Sequence, residues 1–76
     1  MKSKKHEIRS AIQRYFKAVG EVNGLMLVEY ACECAKLPTD PVSKRDAETV
    51  TRYLRDLKSE GLINYEYLGE GKYKVK

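Results

Sequence analysis

The chain has 76 residues, 42% of them hydrophobic and 34% charged, and a formal net charge of +4, which suits one core and no second. Folding at this length removes only about 60% of the unfolded chain's surface from water, which excludes a deep substrate pocket. No run approaches the ~18 apolar residues of a membrane span, and the start MKSKKHEIR lacks a signal peptide's apolar stretch, so the expected location is cytoplasmic.

Charge is unevenly spread. Residues 1–18 carry +5, residues 19–42 carry −3, and residues 43–61 and 62–76 carry +1 each. Basic ends around an acidic middle fit a one-sided footprint for a polyanion. Cys32 and Cys34 sit two apart in a helical stretch, so their side chains diverge by about 200° around the axis. They suit neither a mutual disulfide nor a shared metal, and reduced thiols packing as small apolar groups are expected. His6 has no second histidine and no nearby cysteine, which leaves it a surface side chain. No cofactor is expected.

From about Lys4 to Ala18, Ile8, Ala11, Ile12, Tyr15, Phe16 and Val19 recur at helical spacing, and Gly20 offers a stop. Glu21-Val22-Asn23-Gly24 reads as a loop or an isolated strand pair, with Asn23 as the cap of a second helix. That helix spans Leu25 to Lys36, with Leu27, Val28, Ala31, Cys34 and Ala35 on its inner face and Glu29 and Glu33 outside. Pro38 and Pro41 end it.

A third helix starts between Ser43 and Asp46, both acceptable caps, and buries Ala47, Val50, Leu54 and Leu57 before a C′ glycine at Gly61. Its opposite face holds Arg45, Glu48, Thr49, Arg52, Arg55 and Asp56. After it, Ile63, Tyr65 and Tyr67 alternate with polar residues, Gly69-Glu70-Gly71 turns the chain, and Tyr73 and Val75 alternate with Lys72, Lys74 and Lys76. In this hairpin Tyr73 and Val75 face inward with Ile63 and Tyr65, and the lysines face out.

Helix, helix, helix, hairpin is the order of the winged helix-turn-helix fold. The run from Thr49-Val50 through Arg52, Leu54, Leu57 and Glu60-Gly61-Leu62-Ile63 resembles the recognition-helix-to-wing segment of many small bacterial and archaeal winged-helix regulators. The resemblance covers residues 43–76 in sequence and residues 1–42 in architecture alone. It implies an α+β winged helix-turn-helix with three helices followed by a two-stranded β-hairpin wing. One departure stands out. Those regulators commonly carry a serine about three positions before the Thr, whereas Ser43 lies six before Thr49; either the helix gains a turn, or Lys44 and Arg45 belong to the loop.

A B-DNA major groove about 12 Å wide accepts a helix. Contacts to base edges would come from Arg45, Glu48, Thr49 and Arg52, where Arg can read guanine, Thr a thymine methyl or a phosphate, and Glu a cytosine amine. Lys72 and Lys74 would hold the backbone, with Lys44 as a further contact. The expected activity is sequence-specific binding of double-stranded DNA by a transcriptional regulator or accessory protein, acting as a homodimer because one small module offers few base contacts. Helix one and the outer edge of the C-terminal strand are candidate dimer surfaces. A solvated helix face with pairs such as Arg52–Asp56 is the plain alternative for these charges, and Glu29 and Glu33 motivate a protein-interaction module that does not touch DNA. No Ser/His/Asp or Cys/His constellation and no glycine-rich phosphate loop supports an enzyme, and no small-molecule substrate is indicated.

Overall fold

The computed structural model describes residues 3–76; Lys2, part of the basic N-terminal run, lies outside them. The elements are α1 (Lys4–Ala18), β1 (Glu21–Asn23), α2 (Gly24–Cys34), α3 (Lys44–Ser59), β2 (Tyr65–Gly69) and β3 (Lys72–Val75). Three helices thus pack with a three-stranded antiparallel sheet of order β1-β3-β2. The expected two-stranded hairpin gains a third strand. Val22 is wholly buried between exposed Glu21 and Asn23, and pairs with Tyr73. Three residues carry too little alternation to declare a strand by themselves; their partner, some fifty residues later, makes it one. β3 is consequently the central strand, paired on both sides, and its edge is not available as a dimer surface.

Each helix begins on a side-chain cap that satisfies otherwise orphaned amide protons. Ser3 accepts from His6 N, Asn23 Oδ1 accepts from Leu25 N and Met26 N, and Ser43 Oγ accepts from Asp46 N at 3.1 Å. α3 ends in a Schellman arrangement, with Leu62 N donating to Leu57 O and Gly61 N to Lys58 O, and Gly61 takes the required positive φ of 79°. α2 closes with the same pair of bonds two residues short of the expected Lys36, which supplies the left-handed residue at φ 59°.

One apolar core joins the layers: Ile8, Ala11, Ile12 and Phe16 from α1, Leu27, Val28, Ala31 and Cys32 from α2, and Val50, Leu54 and Leu57 from α3. Val22 and Tyr65 close it from the sheet. Among the described residues no polar or charged side chain is buried. The thiol expected in the core at Cys34 is instead Cys32, which completes the 28, 31, 32, 35 stripe; Cys34 sits on the flank, 3.6 Å from Arg14 Nη2. Burial raises the Cys32 thiol pKa above its ordinary value.

Two devices fix the hairpin. Gly24 N donates to Gly71 O, and a Cβ on Gly24 would stand 2.8 Å from that carbonyl, so only glycine lets α2 start against the hairpin tip. Along the β3-facing side of β2 the bonded pairs fall at Asn64 and Glu66, so the Tyr65 carbonyl points to the free edge. Lys58 Nζ donates to it at 3.0 Å while lying over the Tyr65 ring, which blocks part of that edge to strand addition. No helix among the described residues is long and apolar enough to cross a membrane.

Candidate functional site

The cap on Ser43 resolves the start of α3 in favour of an added turn: Lys44 and Arg45 are helical, and Asp46 lies in the first turn. With Val50, Leu54 and Leu57 buried, Lys44, Arg45, Glu48, Arg52, Arg55 and Asp56 are exposed. Among the described residues the ion pairs are Arg9–Glu60 and Lys76–Glu66. The four cations of α3's outer face therefore carry no ion pair, and the Arg52–Asp56 pair does not form.

At about 100° per residue, this face divides into two flanks. Thr49 is half-buried on the flank toward α1, together with Tyr53 and Glu60, where Lys5 lies over the Tyr53 ring and Arg9 binds Glu60 through two hydrogen bonds of 2.9 and 2.7 Å. The Thr49 hydroxyl donates to Arg45 O at 3.0 Å, so its proton is spent within the helix. On the other flank Lys44, Ala47, Glu48, Thr51, Arg52, Arg55 and Asp56 line a shallow groove of about 550 Å³. Arg45 and Thr49 stand outside that lining.

The sheet separates its residues by pleat. Lys72 and Lys74 project from the face opposite the one bearing Tyr65, Tyr67 and Tyr73, and that tyrosine face is the one turned to α3. The two lysines thus lie across the sheet from the helix groove rather than beside it. Cross-strand neighbours share a face, and Lys74 is flanked by Glu21 on one side and Glu66 on the other. The hydrogen bond from Lys76, then the charges of Lys76 and Lys74, hold the Glu66 carboxyl below its ordinary pKa of 4.5. Lys72 faces Asn23 and Gly69, neither of them acidic.

Comparison with family models, with curated proteins and with solved structures finds no match to this chain.

Three residues outside the expected base and backbone contacts mark a second cleft beside that groove. Arg55, Thr51 and Tyr67 meet where α3 faces the hairpin, in a cleft of about 360 Å³ completed by Leu54, Tyr65 and Tyr73. Thr51 and Arg55 are spaced four apart and so share a flank, a signal that gains meaning once the hairpin's side is known. Burial, and then the neighbouring phenol, raise the Tyr65 and Tyr73 pKa values above 10, while Arg55 pulls both down. The phenols stay neutral near pH 7. On α2, Leu25, Met26, Glu29 and Glu33 form an exposed stripe.

Proposed function

We propose that this chain is a winged helix-turn-helix protein that binds double-stranded DNA, as a transcriptional regulator or an accessory factor in DNA transactions. α3 lies in the major groove and the β2–β3 hairpin beside it, with Lys72 reaching the backbone. One observation carries the reading. A four-turn helix, held by α1 and α2 behind it, presents Lys44, Arg45, Arg52 and Arg55 to solvent with no carboxylate engaged on any of them. Unpaired cations on an otherwise supported helix meet phosphate without first breaking an ion pair, and their binding releases counterions. Arg52, at the centre of the groove, takes the guanine-reading or phosphate role; Glu48 beside it accepts from cytosine and disfavours other bases. Two copies on paired half-sites would multiply the base contacts.

The test is duplex selection from a random-sequence pool, followed by anisotropy titration of the enriched site over a salt series. The enriched duplex should bind tighter than random duplex by ~10³-fold or more, and Arg52→Ala should weaken it by roughly 5- to 100-fold. Equal, feeble binding of enriched and random duplexes at moderate salt overturns the reading.

A second reading, a protein-interaction module, draws on a different surface. Leu25 and Met26 are 68% and 58% exposed at the start of α2, in line with Glu29 and Glu33, an apolar-acidic stripe that no phosphate would approach. Capture of a partner that survives high salt, with no shift of any duplex, favours it over the first.

A further inference from the structure

We propose that the cleft between α3 and the hairpin holds one nucleotide whose base is unpaired. The wall of the cleft is Tyr67. The residue is 59% exposed yet held in place, with its ring centroid 5.2 Å from that of Tyr73 and its hydroxyl accepting from Gly71 N at 3.2 Å. The polar end of this side chain is thus engaged at the hairpin tip, and the side chain lines the cleft. Behind it the aromatic row is continuous: Tyr73 meets Tyr65 edge to face at 5.1 Å, and Tyr65 meets core Phe16 at 5.8 Å. An exposed platform rooted in the core does not move when a ligand arrives, so little ordering entropy opposes stacking on it. Leu54 contributes an apolar floor.

Arg55 adds a positive charge to this cleft. It stands at the rim of the same cleft, exposed and with no carboxylate partner among the described residues. A flat apolar surface with a free guanidinium at its edge fits a ligand that joins a planar π-system to a negative charge. A nucleotide is that combination, and stacking on an aromatic side chain is indifferent to which base is presented. A base inside a duplex has both faces covered by its neighbours and cannot enter. The ligand is therefore a nucleotide of a single-stranded segment or a free mononucleotide. The inference does not rest on the duplex reading; where both hold, α3 carries the duplex and the cleft takes the first nucleotide beyond its end.

The experiment compares the full chain's affinity for a blunt duplex, the same duplex with a short unpaired extension ending in 2-aminopurine, an oligothymidylate single strand, and dAMP. The extension should tighten binding by at least ~5-fold and quench the 2-aminopurine. Tyr67→Ala should abolish both effects and leave blunt-duplex affinity unchanged, while Tyr67→Phe, which keeps the ring and loses the hydroxyl, should retain them. If dAMP binds with the same Tyr67 dependence and the extension adds nothing, the site belongs to free nucleotides. If the single strand binds in a Tyr67-dependent way while no duplex binds, the cleft stands and the duplex reading falls. A blunt duplex that binds, with no gain from the extension and no response to dAMP, overturns the cleft and leaves the duplex reading intact. So does an extension effect that survives Tyr67→Ala.

Discussion

Lys44, Arg45, Arg52 and Arg55 on α3 stand without an ion pair, whereas on the sheet Lys76 pairs with Glu66 at 3.0 Å and Lys74 lies between Glu21 and Glu66. The two regions carry similar side chains in different electrostatic states, and the secondary structure explains why. On a helix, a carboxylate four residues away is optional: Asp56 is in place for Arg52, and the pair is not made. In a sheet, register sets cross-strand neighbours about 5 Å apart, so two strands that each bring a glutamate must set them beside the lysine between them. Counting lysines on a hairpin therefore overstates how many are free to meet an anion, whereas on α3 none of the four cations is held in an ion pair, although Glu48 and Asp56 share their groove.

The strongest way to break this arrangement is to remove the contact that seats the hairpin. In Gly24→Ala the new methyl meets Gly71 O at 2.8 Å and Tyr73 Cε2 at 3.4 Å. The nearer obstacle is backbone and cannot swing aside. A loss of about 1–3 kcal/mol in denaturant unfolding is expected, of the size seen for overpacking. Hydrogen exchange should show the loss of protection concentrated at residues 20–24 and 71–75, with α3 amides opening only globally. A variant as stable as the parent would show that the α2 start and the hairpin tip are not tightly seated.

A smaller effect sharpens the electrostatic side. Glu66→Gln leaves the sheet's backbone pairing in place and releases Lys76 from its ion pair, while removing one of the two carboxylates beside Lys74. The outer face of the sheet then resembles that of α3. If Lys74 and Lys76 are silenced by their neighbours, the variant should bind duplex DNA more tightly at low salt. Its log–log salt dependence should steepen by up to ~1 per phosphate newly contacted, and Lys74→Ala in the parent should change little. An equal loss from Lys72→Ala and Lys74→Ala would mean that the carboxylates do not discriminate between them.

The helices were legible because each buried face is a local pattern. Ile8, Ala11, Ile12 and Phe16 announce α1, and Val50, Leu54 and Leu57 announce α3 with Gly61 at its end. What was not legible depended on partners distant along the chain. Glu21-Val22-Asn23 becomes a strand only through β3, and that pairing moves β3 from the edge to the centre of the sheet. Period-two alternation places Tyr67 on the inner face correctly, yet cannot say that the core stops short of it, which leaves the ring exposed. Lys44, Arg45, Glu48 and Arg52 were legible as exposed positions, but the half-burial of Thr49 and the division of the face into two flanks were not. Thr49 turns toward α1 and Arg55 toward the hairpin because of where those elements pack.

The smallest expected effect tests the Arg9–Glu60 ion pair that ties the end of α3 to α1, and so the pose in which α3 is held. Arg9 grips the Glu60 carboxylate through both guanidinium nitrogens, and that hydrogen bonding, followed by the charges of Arg9 and Lys5, holds Glu60 below its ordinary pKa of 4.5. A carboxyl group depressed by folding stabilises the folded state above its unfolded pKa and loses that contribution as pH falls through the folded value. The parent should therefore melt slightly higher than Glu60→Gln at neutral pH, and the two melting curves should converge as pH falls through the folded-state pKa of Glu60. Because both side chains face solvent, added salt should narrow the gap at neutral pH as well. A Tm difference that persists unchanged into acid would assign the role of Glu60 to packing of the α3 terminus rather than to its charge.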